Sequence, residues 1–164
     1  MTDDLTPQQQ MILIEQQRRL DAKMQTGDLL DSKAMTILQS GGILIALTGA
    51  VSISNYASQH TSTITLVGIL CAFVAFLGMV TCALRAWHPS SNPVAGGTTW
   101  DELYDDYLVK DTSTCFMQVL SNLLTTSEMH TKRNNAKARY VSLGIWLLGL
   151  QVAAILLAAM LAAY

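Results

Sequence analysis

Between residues 34 and 84 the sequence has no Asp, Glu, Lys or Arg, and a second charge-free stretch runs from 140 to 164. Crossing roughly 30 Å of hydrocarbon takes about 20 mainly apolar residues. The first stretch is therefore long enough for two spans and a turn, the second for one. Charged residues are only 13% of the chain and the mean hydropathy is +0.32. Neither value alone separates a membrane protein from a core-rich soluble domain; the clustering does. The chain's 164 residues leave room for one domain.

Other absences narrow the function. Gly41-Gly42 and Gly96-Gly97 lack the Lys and the spacing of a phosphate-binding loop, and no GxSxG elbow occurs. Cys71, Cys82 and Cys115 form no CxxC and no zinc spacing with His60, His88 or His130, so they read as reduced thiols without metal. No carboxylate, Lys or Arg falls inside a span, whereas ion-coupled pumps place such groups there. Broken-helix repeats of the secondary-transporter kind are also missing. The net charge of −2 argues against nucleic-acid binding. Residues 1–30 are polar, with no secretory signal pattern. Together these features point away from an enzyme, and they imply no cofactor.

What is present is helical. Thr6 is a good N-cap and Pro7 suits the first helical position, so a helix is predicted over 6–30 with Leu13, Leu20, Met24 and Leu30 as an apolar stripe. That helix is expected to continue into a first span at 34–54, with a bend at Gly27. A polar, uncharged turn follows, then a second span at 63–84 closed by the interface anchors Arg85, Trp87 and His88. Residues 89–97 read as a loop. A second soluble helix is predicted from Thr98 or Thr99, with Asp101, Glu102, Asp105 and Asp106 in its first turns and Trp100 packed against a neighbour. The segment 125–139 is polar and basic, and the third span covers 140–162. The expected fold is thus an all-α integral membrane protein. Residues 1–33 form a cytosolic N-terminal helix, 34–84 a two-span hairpin, 85–139 a cytosolic helical insert and 140–164 the third transmembrane helix.

The cations set the orientation. All ten Lys and Arg lie at positions 18–33 or 85–139, and the 54–63 turn and the C-terminus have none. The positive-inside rule places the N-terminal helix and the insert in the cytoplasm and the C-terminus outside. Small residues recur every four positions at Gly42, Ala46, Ala50 and Ser54, at Ala154, Ala158 and Ala162, and at Gly68 and Ala72. Such stripes are expected to pack helix against helix, within a protomer or between protomers. Gln39 and Gln151 serve either as interhelical hydrogen bonds or as the lining of an aqueous path. Arg85, Lys132, Arg133, Lys137 and Arg139 are candidate contacts for an anion, a nucleotide or lipid headgroups. Asp31 and Lys33 sit at the hinge into span one, and Asp31 is expected to pair with one of the basic residues at the same membrane face.

Two segments carry a family resemblance. Leu30-Asp31-Ser32-Lys33-Ala34, an Asp-x-Lys-Ala step immediately before an apolar run, resembles the Pycsar-type transmembrane effectors within the wider SLATT group of prokaryotic conflict proteins. Asn134-Asn135-Ala136-Lys137-Ala138-Arg139-Tyr140 is similar to the threshold of their last span. The resemblance covers about residues 8–163. It implies a homo-oligomeric effector of antiphage defence in the bacterial inner membrane, which damages that membrane when a cyclic nucleotide or another infection cue arrives. The sequence departs from that pattern in having no separate nucleotide-binding domain. A constitutive small channel, or an adaptor recruiting a soluble partner, are the other readings the residues allow.

Overall fold

The computed structural model describes residues 5–57, 63–87 and 111–162, with side chains described at 5–50, 63, 66–87 and 111–160. Among the described residues there are three helices: α1 (Pro7–Ala57), α2 (Thr63–Trp87) and α3 (Thr112–Ala162). No strand occurs among the described residues. The expected loop at 89–97, the helix start at Thr98 or Thr99, the acidic group at 101–106 and Trp100 lie outside them, as do His88 and residues 58–62 of the turn.

Local chemistry explains where the helices begin. Thr6 and Gln9 form a reciprocal capping box: the Thr6 amide donates to Gln9 Oε1 at 2.9 Å, and the Gln9 amide donates to Thr6 Oγ1 at 3.3 Å. Pro7 then takes the first helical position, where its missing N–H is no loss. At α3 the cap is Asp111, which accepts the Thr114 amide at 3.1 Å and the Thr114 hydroxyl at 2.6 Å. Those two donors hold the Asp111 carboxyl below its ordinary range, the hydroxyl being the larger influence.

α1 and α3 are each 51 residues long. The insert and the third span, expected as separate elements, are therefore one helix from Thr112 onward. No proline interrupts α3, and a polar, basic stretch such as 125–139 has good helix formers on every turn.

The chain divides into two compact units, Met1–Asp28 with Pro89–Asn135, and Leu29–His88 with Ala136–Tyr164. The first unit is a helix pair. Leu13, Gln16, Leu20, Lys23 and Gly27 of α1 are turned inward, as are Phe116, Leu120, Leu123, Ser127, His130 and Asn134 of α3. Steps of three and four residues make this the seam of a coiled-coil pair. Met24, expected on the apolar stripe, is exposed, because Lys23 and Gly27 occupy that line instead.

The second unit adds α2 to the pair. Asp31 meets Lys137, and Gly41 meets Gln151, so the contacts ascend together and α1 and α3 run parallel here. Gly68 lies against Ala158 and Gly78 against Leu147, so α2 runs antiparallel to α3. The inner face of α2 is Ala72, Ala75, Met79, Ala83 and Ala86, all buried. Small residues at this period let helix backbones approach closely. At one end Ala34, Ala86 and Val141 form a buried layer, with Leu30, Ile37 and Tyr140 packed against it.

α2 and α3 are each long and apolar enough to cross a membrane, and only 17% of each apolar window is buried. Leu70, Val74, Trp146, Leu150 and Leu157 are exposed, a surface compatible with a membrane protein. No third span appears among the described residues. In α1 the side chains of the expected span from 51 onward lie outside the described residues.

Candidate functional site

The seam between α1 and α3 carries an unusual share of polar groups. In the first unit Lys23 Nζ donates to Ser127 Oγ at 2.7 Å and to the Ser127 carbonyl at 3.2 Å. Asn134 Nδ2 donates to the Lys23 carbonyl at 2.7 Å. Ser127 and Asn134 are both buried. Gly27 permits this contact, because a Cβ there would stand only 3.1 Å from Asn134 Oδ1. The predicted bend residue is thus a close-approach residue, which explains a glycine in the middle of a helix.

In the second unit the central feature is an ion pair. Lys137 Nζ donates to both carboxylate oxygens of Asp31 at 2.6 Å. The Lys137 side chain is 7% exposed and that of Asp31 28%. Asp31 is the sole acidic residue of Leu29–His88 and Ala136–Tyr164. Lys137 is therefore neutralised by the one carboxylate its unit owns, and of the five candidate anion contacts it is the one that is buried. Arg85, Lys132 and Arg139 are exposed, Arg133 is half-buried and Lys33 is exposed. Lys132 pairs with Glu128 on the preceding turn at 2.9 Å, which holds the Glu128 carboxyl below its ordinary range.

Deeper in the same unit, Gln151 is fully buried and its Nε2 donates to the Gly41 carbonyl at 3.1 Å. Its Oε1 is buried without a partner. Gly41 makes room for it and for Met79, since a Cβ there would stand 3.2 Å from Gln151 Oε1 and 2.6 Å from Met79 Cε. Gln39 is exposed and takes no part in this contact. The hydroxyls of Thr36, Ser40, Thr48 and Thr81 each donate to the carbonyl four residues earlier, so an apolar surrounding leaves them satisfied.

The small-residue stripes divide. Ala158 is buried and Ala154 half-buried, with Gly68 against both. Gly42 is half-buried beside Phe76, while Ala46 and Ala50 are exposed. Ser54 and Ala162 have side chains outside the described residues. Sequence reasoning missed Gly41 as the close-approach residue of α1, although Gly41 stands on the same three-four line as Ala34, Ile37 and Leu44. It also missed Lys23, whose amphipathic stem hides its role as an interhelical donor.

Among the described residues no three His, Cys, Asp or Glu stand together in a way that could hold a metal ion. The site is a set of interhelical polar contacts that tie α1 to α3. The sequence matches no protein-family model, no curated protein and no solved structure.

Proposed function

We propose that this chain is a non-enzymatic, homo-oligomeric membrane effector of bacterial antiphage defence. It sits in the inner membrane with three spans, 34–54, 63–84 and 140–162, its N-terminus cytoplasmic and its C-terminus outside. A nucleotide second messenger or another infection cue shifts the packing of the cytosolic helices, the spans move, and the membrane leaks. The observation that carries this reading is the Asp31–Lys137 pair. Asp31 belongs to one of the two segments that resemble the Pycsar-type and SLATT effectors, Lys137 to the other, and the two side chains close on each other. A buried ion pair is a poor source of net stability and a good setter of register. Placed where two helices turn from polar to apolar sequence, it suits a latch better than a scaffold.

A ligand can drive such a shift only by binding one packing better than the other. Moving a population from 1:99 to 99:1 takes a preference of about 10⁴. Purified protein in liposomes, loaded with dye and challenged with a panel of cyclic mono- and oligonucleotides, tests the reading. Leakage that requires one nucleotide is the expected result. Leakage with no addition favours a constitutive channel, and none under any condition favours an adaptor for a soluble partner.

A further inference from the structure

Resting on the membrane reading above, we infer that Lys33, Arg85 and Arg139 form a cationic belt that binds the phosphodiester headgroups of anionic phospholipids. Each stands beside the same buried layer. Lys33 precedes Ala34, Arg85 precedes Ala86, and Arg139 precedes Tyr140, which with Val141 completes that layer. A helix rises about 1.5 Å per residue, so the three side chains leave their helices within one turn of a single level. All three are exposed. The unit's fourth cation, Lys137, is closed off by Asp31, the unit's sole carboxylate, and so contributes nothing to the rim. Three helices therefore present three positive charges at one level, with no acidic residue of their own unit left to neutralise them. That level is where charged sequence gives way to the charge-free stretches, at 33/34, 84/85 and 139/140. Long basic side chains at such a boundary lay their stems along the apolar surface and carry the charge to the headgroups. Trp87, exposed two residues after Arg85, supplies the amphipathic ring suited to the same depth.

The test is the electron-spin resonance of spin-labelled lipids around the protein in bilayers. A membrane protein shows a motionally restricted lipid component, and the ratio of restricted phosphatidylglycerol to restricted phosphatidylcholine reads headgroup preference. A lipid phosphate near a Lys or Arg gains roughly fivefold per cation at low salt. The expected result is a several-fold preference for phosphatidylglycerol that falls toward one in about 1 M salt, a readout requiring no substitution. The triple variant Lys33→Gln/Arg85→Gln/Arg139→Gln is expected to lose the preference while keeping its helicity. Arg19→Gln, which removes an exposed cation already paired with Glu15 at 2.8 Å, is expected to keep it. A restricted component with equal preference for both lipids overturns the belt and leaves the membrane reading standing. Absence of any restricted component overturns the membrane reading itself. Preference abolished by millimolar inorganic phosphate at constant ionic strength would assign the belt to a soluble phosphate ligand and overturn the lipid assignment.

Discussion

A buried ammonium is tolerated only while a counter-charge stands beside it, and this makes the two partners of the Asp31–Lys137 pair unequal. Asp31→Asn leaves a Lys side chain 7% exposed without a full partner. Lys137→Gln leaves a carboxylate that still reaches water. Breaking a buried pair costs roughly 3–5 kcal/mol. Asp31→Asn is expected near the lower end of that range, and Lys137→Gln clearly below it, in unfolding followed by helicity in detergent. Equal losses would contradict the burial asymmetry. The pair was partly legible. The sequence marks Asp31 as the lone acid beside several cations, but it does not choose among them, because the choice depends on which face of α3 turns toward α1. Gln151 was legible as an interhelical hydrogen bond, and its partner was not, since a backbone carbonyl carries no sequence signal.

Asp111 adds a pH-dependent prediction at the same scale. Its carboxyl is lowered in the folded chain by donation from the Thr114 hydroxyl and amide. A lowered carboxyl contributes stability above its unfolded value and loses it as pH falls through the folded one. The first turn of α3 is therefore expected to fray below the ordinary carboxylate range, seen as faster amide exchange at Thr114 and Cys115. Unchanged protection there down to strongly acidic pH would sink the cap assignment.

Among the elements, the glycines separate contact from open surface. A Cβ at Gly68 would meet Ala158 Cβ at 2.7 Å, and neither side can rotate away, so α2 and α3 must part. Overpacking of this kind costs about 1–3 kcal/mol. At Gly49 nothing lies within 4 Å, so alanine there gains helix propensity of up to about 1 kcal/mol. Gly68→Ala is thus expected to lower the unfolding midpoint and Gly49→Ala to hold or raise it. The stripe of small residues was readable in all three apolar segments. Which of its members face inward was not, because a four-residue repeat drifts around a helix of 3.6 residues per turn. Gly41, Ala34 and Ile37 follow alternating three-four steps instead, and those mark the seam of α1. The unbroken length of α3 was obscured by its change from polar to apolar composition at 139, which looks like an element boundary although the helix runs through it.

For the whole molecule, the distribution of charge is the strongest long-range feature of the sequence, and no local contact replaces it. The apolar segments followed from it directly. The proposed function depends on coupling between the polar contacts and the apolar helices, and coupling is a difference between two states. Charge exchange across Asp31 and Lys137 addresses it directly. Wild type, Asp31→Lys, Lys137→Asp and the double exchange should be compared for triggered dye release from the same liposomes. The account predicts that each single reversal alters release by at least tenfold and that the double exchange returns it toward the wild-type rate. Release unchanged by the single reversals, or a double exchange no better than either alone, would contradict it.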